Sequence, residues 1–365
     1  MMKIPIHTPS RSYNVYIGQG DLEEAIKTYQ QFIVERDKVI VFTDENVWRI
    51  YKDAFTKSFP FPFSLFVLPG GEACKTFEQY LAAQTFLLEQ KCTRKSMLFA
   101  FGGGAVGDLT GFVASTFMRG IPIIQLPTTI LAHDSAVGGK TAINHALGKN
   151  MIGTFYQPEG VIFDIEFLKS LPAQEVRSGM AEVVKHALIS DMVWLQELIE
   201  LPPMFNLDEE KTMGYLEQGI RVKANIVAQD EEEHGVRKFL NFGHTYGHAL
   251  EAAFGFGKLT HGEAVMIGMV YALLLSEKYG QISRSFTKEF LLFAIRNKYP
   301  VESVANFSFD ELFEFMQKDK KAEDGELQFV LLKDIGKPFT QRISRSECQE
   351  TDLLLRELIE GVSYD

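Results

Sequence analysis

Three histidines stand close together in the second half of a chain that contains only eight. His244 and His248 are four positions apart in NFGHTYGHALEAAF, and His261 follows in LTHGEAVM. Their neighbours are Gly, Ala, Phe and Leu, which indicates an apolar setting in which histidines need partners. The i,i+4 spacing predicts that His244 and His248 share a helix face and bind one metal ion together. Thr245 follows His244, so the HExxH protease signature is absent.

A carboxylate that could complete a metal site lies in SGMAEVVKHALIS. Glu182, Lys185 and His186 are spaced i, i+3 and i+4, so they share one helix face. Catalytic zinc usually takes three protein ligands and leaves one position open. The alternative interpretation is an ordinary ion pair on the surface of a helix.

A glycine-rich loop, FAFGGGAVGDLTGFVAS, follows an apolar run and precedes a helical stretch. Gly102, Gly104 and Gly107 form a GxGxxG pattern, which is typical of a pyrophosphate site at a helix N-terminus. No acidic residue ends the next strand, where a ribose ligand is expected, and the nearest candidates are Asp44 and Glu72. The loop therefore predicts a dinucleotide site outside the standard Rossmann topology, with a plain strand-to-helix turn as the alternative.

The stretch LPTTILAHDSAVGGKTAINHALGKNMIG predicts a polar loop. Lys and Asn donate hydrogen bonds and Gly lets the backbone approach a ligand, so this composition suits phosphate and hydroxyl groups, although a solvated loop is the alternative. Arg119 lies just upstream as a further anion contact. Arg237 and Asn241, four apart, would give a helix a basic and polar face suited to a carboxylate or phosphate.

The elements that must hold these residues differ between the two halves of the chain. Apolar runs typical of parallel strands alternate with helical stretches in the first half: DKVIVFTD, FSLFVLPGG, SMLFAFGGG, IPIIQLPTT and GVIFDIEF. After residue 171 helical periodicity prevails, and only LQFVLLKDIG predicts a strand. We therefore expect an α/β domain with a mostly parallel sheet over 1–171 and a mainly helical domain over 172–365.

Composition excludes several classes of protein. The net charge of −11 argues against a nucleic-acid-binding protein, although a local basic cluster could still bind an anion. The three cysteines form no CxxC unit, so neither a disulfide framework nor a cysteine zinc site is expected. The N-terminus has no apolar signal-peptide region, and the longest apolar run, AVMIGMVYALLL, is shorter than the ~20 residues a bilayer requires. We expect a cytoplasmic protein without a membrane partner.

Taken together, these motifs resemble the 3-dehydroquinate synthase family over essentially the whole chain. The resemblance rests on GGEACKTFE, FGGGAVGDLTGFVAS, QLPTTILAHDSAVGGKTAINHALGKNMIGTFYQP, LKSLPAQEVRSGMAEVVKHALI, RVKANIVAQDEEEHGVRKFLNFGHTYGHALE and HGEAVMIGM. It implies an N-terminal NAD-binding α/β domain, a helical C-terminal domain and a homodimer.

The resemblance also implies a role for individual residues. The NAD residues would be Asp44, Glu72, Lys75, Gly104, Ala105, Val106, Gly107, Asp108, Thr128, Thr129, Lys140, Lys149, Phe167, Ser170 and Glu175. The metal ligands, usually of zinc or cobalt, would be Glu182, His244 and His261. The substrate residues would be Arg119, Asp134, Lys140, Lys149, Asn150, Lys223, Arg237, Asn241, His248 and either Lys320 or Lys321. The catalytic residues would be Lys185, His248, Asp134 and Lys140, with Arg119 reaching the site of the partner subunit.

The reaction implied is the conversion of 3-deoxy-D-arabino-heptulosonate 7-phosphate to 3-dehydroquinate and phosphate in the shikimate pathway. It combines transient oxidation by NAD, β-elimination of phosphate, re-reduction, ring opening and aldol closure. Three alternatives remain: a polyol dehydrogenase of the glycerol dehydrogenase type, another sugar phosphate cyclase making an inosose or valiolone, and a non-enzymatic binding module. The density of Lys, Arg and Asn argues against a neutral polyol, and the Lys223 and Arg237 pair favours a substrate with a carboxylate.

Overall fold

The computed structural model describes residues 1–201, 208–255, 257–319 and 326–363. Their contacts form two compact units: the first is Met1–Pro172 with Asp208–Glu232, and the second is Ala173–Leu207 with Glu233–Asp365. The chain therefore passes from one unit to the other three times. The prediction that 172–365 forms one domain is wrong for Asp208–Glu232, because a helix in this segment packs against the N-terminal strands of the first unit.

The first unit is built on a seven-stranded sheet with the order β1-β2-β9-β6-β5-β3-β4. Its pairs are parallel except β1 with β2. Strands β7 and β8 form a separate antiparallel hairpin. The strands are β1 (Met2–His7), β2 (Ser12–Gly18), β3 (Val39–Asp44), β4 (Ser64–Leu68), β5 (Met97–Gly102), β6 (Ile123–Pro127), β7 (Lys140–His145), β8 (Gly148–Phe155) and β9 (Gly160–Asp164).

Helices cover both faces of this sheet. The α-helices in the described part of the chain, in both units, are α1 (Leu22–Lys27), α2 (Gln30–Val34), α3 (Glu45–Ser58), α4 (Phe77–Glu89), α5 (Gly104–Thr116), α6 (Ala132–Ser135), α7 (Ala173–Ser190), α8 (Met192–Glu200), α9 (Glu209–Gln229), α10 (His244–Phe254), α11 (His261–Tyr279), α12 (Arg284–Arg296), α13 (Phe309–Asp319) and α14 (Arg345–Ser363). Alternate residues of β3 and β5 enter two apolar cores, with Phe42 and Leu98 in one and Val41 and Phe99 in the other. Strands buried on both faces explain the continuous apolar runs of the sequence.

The five strands predicted in the first half are confirmed as β3, β4, β5, β6 and β9. Two features were missed. Strands β1 and β2 were not predicted. The stretch predicted as a polar loop instead contains α6 and the β7–β8 hairpin. Strand β8 is partly or fully exposed along its whole length, so it lacks the apolar alternation that marks a half-buried strand.

The second unit consists mainly of α7, α8 and α10–α14, as the periodicity predicted. Helix α11 is its centre, since the side chains from Gly262 to Ser276 are buried. The prediction of a single strand there is wrong, because β10 (Leu327–Leu332) pairs with β11 (Pro338–Ile343). The β11 sequence PFTQRI mixes apolar and polar residues without strict alternation and is mostly half-exposed. Among the helices described, none has the length and apolar character needed to cross a membrane.

Candidate active site

The glycine-rich loop forms a sharp junction between β5 and α5. Gly103 is the N-cap of α5, and since it carries no side chain, it leaves the first-turn N–H groups without a cap. A Cβ atom on Gly104 would lie 2.8 Å from Ser135 Oγ, and one on Gly107 would lie 2.8 Å from Gln125 Oε1. These glycines therefore allow α5 to pack closely on its neighbours, and the uncapped, half-buried helix start suits a phosphate group.

Behind this helix start lies a set of charges that we call the lysine–carboxylate cluster, formed by Glu72, Lys75 and Asp108. Lys75 is 2% exposed, and its Nζ lies 2.7 Å from Asp108 Oδ2 and 3.5 Å from Glu72 Oε1. Burial acts to lower the pKa of Lys75, but the two carboxylates outweigh it and raise the pKa above its usual value. Lys75 is therefore a cation fixed inside the protein.

The β7–β8 hairpin adds amide groups to this cluster. The Asn144 side chain donates to Glu72 Oε1 at 2.8 Å and accepts from Asn150 N at 2.9 Å. Lys75 also donates to the Asn150 side chain, and Lys149 Nζ lies 3.7 Å from Glu72. Four predicted site residues therefore meet around Asn144, a residue of the predicted polar loop to which the sequence assigned no role.

Two predicted substrate residues also meet in the first unit. Lys223 of α9 is 4% exposed, and its Nζ lies 3.2 Å from Asp134 Oδ1 of α6 and donates to the Asp134 carbonyl. This contact links the α9 segment to the polar stretch after β6. It joins residues that are 89 positions apart, so no local spacing could have predicted it.

Other predicted NAD residues have structural roles as well. Asp44 caps α3 by accepting from Asn46 N and Val47 N, while burial raises the pKa of its carboxyl group. Thr128 donates its N–H to Gly102 O at 3.0 Å, which ties the end of β6 to the glycine loop. Phe167 packs in the core with its ring 4.9 Å from that of Phe101.

The remaining predicted residues of the first unit are more exposed. Lys140 begins β7 and Ser170 follows a 3₁₀ turn, both with exposed side chains, and Thr129 is half-buried. Arg119 is exposed, and with Met118 it forms two successive non-glycine residues at positive φ, 47° for Met118 and 69° for Arg119. Such conformations cost free energy and often mark functional positions.

In the second unit, α7 carries a buried ion pair. Glu182 and Lys185 are each 1% exposed and their charged groups are in contact. The alternative of a surface ion pair is therefore wrong. Burying two charges costs several kcal/mol of desolvation per ion, which indicates a reason other than stability for keeping them there. Glu175, a predicted NAD residue, lies half-buried in the first turn of the same helix.

Two histidine rings meet this carboxylate and a third packs against both of them, in what we call the histidine cluster, formed by Glu182, His244, His248 and His261. Glu182 Oε1 lies 3.6 Å from His244 Nε2 and 3.4 Å from His261 Nε2. The ring centroid of His244 lies 5.2 Å from the ring centroid of His248 and 5.2 Å from that of His261. One ligand atom from each of the three histidines lies within 4.8 Å of the others.

The histidines of this cluster differ electrostatically. Burial lowers the pKa of His244 well below its usual value, despite the neighbouring Glu182 carboxylate. Burial also acts to lower the pKa of His261, but hydrogen bonds to Glu182 and Glu251 prevail and raise it to about 9. His244 is therefore neutral, the form that binds a metal, near pH 7.

Around the cluster, the segment before α10 departs from the expected geometry. It forms a 3₁₀ helix, Val236–Asn241, in which residues repeat every three positions, so Arg237 and Asn241 do not share a face as they would in an α-helix. Arg237 is 1% exposed, and the Asn241 side chain donates to Glu233. Sequence reasoning gave Glu233 no role. Lys320 and Lys321 lie outside the described residues.

The donors of the histidine cluster fit a divalent metal. Two imidazole nitrogens and a carboxylate oxygen are a donor set of catalytic zinc sites, and a fourth position is kept for water or substrate. His244 Nδ1 lies 3.1 Å from the Phe242 carbonyl, which can only accept, so its Nε2 is left as a lone pair facing Glu182. In the first unit, the uncapped start of α5 beside Lys75 fits the phosphates of a dinucleotide.

Comparison with known structures defines the class. The chain matches 2-deoxy-scyllo-inosose synthase in complex with carbaglucose-6-phosphate, NAD+ and Co2+ with a TM-score of 0.86, at 26% identity over 98% of this chain and 100% of the other. It matches 2-epi-5-epi-valiolone synthase from Streptomyces hygroscopicus subsp. jinggangensis 5008, with NAD+ and Zn2+ bound, with a TM-score of 0.83 at 24% identity over 95% and 97% of the two chains. The fold is that of the sugar phosphate cyclases.

Sequence comparison defines the family. Residues 65–178 match the model of the 3-dehydroquinate synthase N-terminal domain, and residues 179–322 match that of the C-terminal domain. A 3-dehydroquinate synthase from Lysinibacillus sphaericus (strain C3-41) is 61% identical over 361 residues, covering 99% of both chains. The chain belongs to the 3-dehydroquinate synthase family. The resemblance inferred from its motifs is confirmed.

Proposed function

We propose that this chain converts 3-deoxy-D-arabino-heptulosonate 7-phosphate to 3-dehydroquinate and phosphate, as a lyase that uses NAD and a divalent metal, zinc or cobalt. One observation carries the proposal: Glu182, His244 and His261 converge beside the buried Lys185 in a chain 61% identical to a 3-dehydroquinate synthase over nearly its whole length. In the same family this reaction supplies the shikimate pathway.

The first unit would hold NAD and the histidine cluster the metal. When bound, NAD takes up and returns a hydride at the substrate hydroxyl carbon, while the metal acts as a Lewis acid on substrate oxygens. The start of α5, with Lys75 beside it, would receive the pyrophosphate. The other residues assigned to NAD by resemblance keep that role as a prediction.

Several side chains of this chain would act on the substrate directly. His248 stands in the histidine cluster and is half-buried, a suitable position for moving a proton. Lys185 would orient the reacting hydroxyl. Lys223, Arg237 and Asn241 would bind the carboxylate and phosphate, with Asp134 holding Lys223 in place. A neutral polyol needs no such cations, which favours the phosphorylated acid over a polyol dehydrogenase substrate.

We also propose a homodimer in which Arg119 reaches the substrate site of the partner subunit. Its support is the exposed side chain on a backbone held at positive φ. Sedimentation should give twice the monomer mass. An Arg119→Ala variant should remain dimeric and lose affinity for substrate.

The decisive assay follows phosphate release from the heptulosonate phosphate with substoichiometric NAD and added Zn2+ or Co2+. We expect release to exceed the NAD present, without net accumulation of NADH, because the hydride returns in each turnover. Net accumulation of NADH would indicate a dehydrogenase. Glucose 6-phosphate, of which the ligand in the inosose synthase complex is a carba analogue, is the matched control and should release no phosphate.

A further inference from the structure

Glu251 is a buried acid of α10 that the reaction described above does not use. It lies one turn after His248 and is 5% exposed. Its Oε2 atom is 3.3 Å from Nδ1 of His261, on the neighbouring helix α11. The other ring nitrogen of His261, Nε2, is 3.4 Å from Glu182 Oε1. The His261 ring is therefore held between two carboxylates, one at each nitrogen.

In a neutral imidazole the two ring nitrogens have different roles, and the acceptors around His261 decide which nitrogen takes which role. One ring nitrogen carries a proton and donates, while the other offers a lone pair. In the neutral form that binds a metal, with its single proton on Nδ1, His261 donates to Glu251 and its Nε2 lone pair faces Glu182. His244 has the same arrangement, because its Nδ1 faces the Phe242 carbonyl at 3.1 Å and its Nε2 faces Glu182 at 3.6 Å. Both lone pairs then converge on one carboxylate.

We propose that Glu251 is a positioning residue for the metal site, accepting the Nδ1 proton of His261 and so presenting Nε2 to the divalent ion. The inference rests on the proposed function and deepens it. A carboxylate behind a metal-bound histidine fixes the tautomer and ring orientation and makes the nitrogen more basic. For His244 a backbone carbonyl does this, so Glu251 is the orienting acceptor that mutagenesis can change.

A purely structural role for Glu251 predicts something different. As a tie between α10 and α11, its loss would lower stability without a specific effect on metal affinity. Asp352 of α14 provides the comparison, because it is 1% exposed and accepts from the Tyr246 hydroxyl of α10 at 2.6 Å. It is thus a buried carboxylate bound to the same helix through a side chain that is not a metal ligand.

The test uses the full chain with Glu251→Ala, Glu251→Gln and, as the control, Asp352→Asn. Affinity for Zn2+ is measured by competition with a chromophoric chelator, the Co2+ absorption spectrum reports ligand geometry, and thermal unfolding of the metal-free proteins reports stability. We expect Glu251→Ala to weaken Zn2+ binding by roughly 10- to 100-fold and to alter the Co2+ spectrum. Glu251→Gln should weaken binding less, because its amide oxygen still accepts a hydrogen bond.

Asp352→Asn should lower the unfolding temperature and leave Zn2+ affinity within about twofold of the parent, whereas loss of a carboxylate that orients a metal-bound histidine costs roughly 10-fold or more. The inference is overturned if both Glu251 variants bind Zn2+ like the parent, or if Asp352→Asn weakens binding as much as they do. If Glu251→Ala does not fold, Glu251→Gln decides the matter. Failure of the parent chain itself to bind Zn2+ or Co2+ would instead overturn the proposed function and, with it, this inference.

Discussion

The lysine–carboxylate cluster of the first unit and the histidine cluster of the second are built by different means. The first gathers Glu72, Lys75 and Asp108 from a 3₁₀ turn, the residue after it and a helix start, and opposite charges satisfy one another there. The second draws on the faces of three helices and directs nitrogen lone pairs and a carboxylate toward one point.

This difference separates two ways of using buried polar groups. Lys75 is already paired with two carboxylates, so the first cluster is complete as it stands. In the second, neutral His244 and the Glu182 carboxylate form a donor set that suits a cation. We therefore expect changes in the first cluster to affect NAD and changes in the second to affect the metal.

The largest effect is expected for Glu182→Gln. Loss of the carboxylate should abolish tight Zn2+ binding and lower turnover by roughly 10³-fold or more, because a Lewis-acid metal contributes several kcal/mol and each 1.36 kcal/mol is tenfold in rate. Metal analysis and phosphate release measure both effects. Glu197→Gln, at an exposed position of α8, is the control and should match the parent. Retention of stoichiometric zinc by Glu182→Gln would contradict the ligand assignment.

The next effect distinguishes His248 from its neighbours. His248→Ala should lower turnover by roughly 10²- to 10⁴-fold, the usual contribution of a proton-transfer group, while the zinc content stays intact. The measurement pairs metal analysis with steady-state kinetics. Loss of zinc in this variant would instead restore the interpretation from spacing alone, in which His244 and His248 bind the metal together.

A smaller effect is expected in the lysine–carboxylate cluster. Lys75→Met should raise the KM for NAD by roughly 10- to 100-fold, because a hydrogen bond to a charged group contributes about 1.5–3 kcal/mol. Its zinc content should not change. Lys95→Met, exposed in the same unit, is the matched control. If Lys75→Met lost zinc and kept its KM for NAD, the division between the two clusters would be wrong.

The smallest effect concerns the ion pair between Lys278 and Glu347, which belongs to neither cluster. Hydrogen bonds from Lys278, Tyr279 and Ser344 lower the pKa of Glu347 to about 2. A lowered pKa stabilises the folded state above the unfolded value of about 4.3 and loses this effect as the pH falls toward 2. Glu347→Gln should thus cost at most about 1 kcal/mol at pH 7, and the difference should shrink below pH 4. Urea unfolding at several pH values measures it.

The sequence predicted the second cluster better than the first. Helical spacing alone placed Glu182 with Lys185 and His244 with His248, because residues three and four apart share a face. The pairing of Glu251 with His261 depends on how α10 packs against α11, which spacing does not encode. The shared face expected for Arg237 and Asn241 failed for a related reason, since their segment adopts the tighter 3₁₀ geometry.

In the first unit, continuous apolar runs in the sequence predicted the buried parallel strands. The β7–β8 hairpin was not predicted, because its residues are rich in Gly, Asn and Lys and β8 is partly or fully exposed along its length. That hairpin brings Asn144 and Asn150 to Glu72 and Lys75. Motif resemblance named most of the residues here, whereas their contacts required the folded chain.

The first unit is formed by two separate segments of the chain, so it cannot be isolated as one continuous piece. Helix α9 packs against β1 and β2 and brings Lys223 to Asp134, yet it is encoded after α7 and α8 of the second unit. A fragment ending at residue 172 would lack α9 and all of its contacts with these strands. Any exchange of this unit between relatives must therefore carry Asp208–Glu232 with it, as two joined pieces of coding sequence.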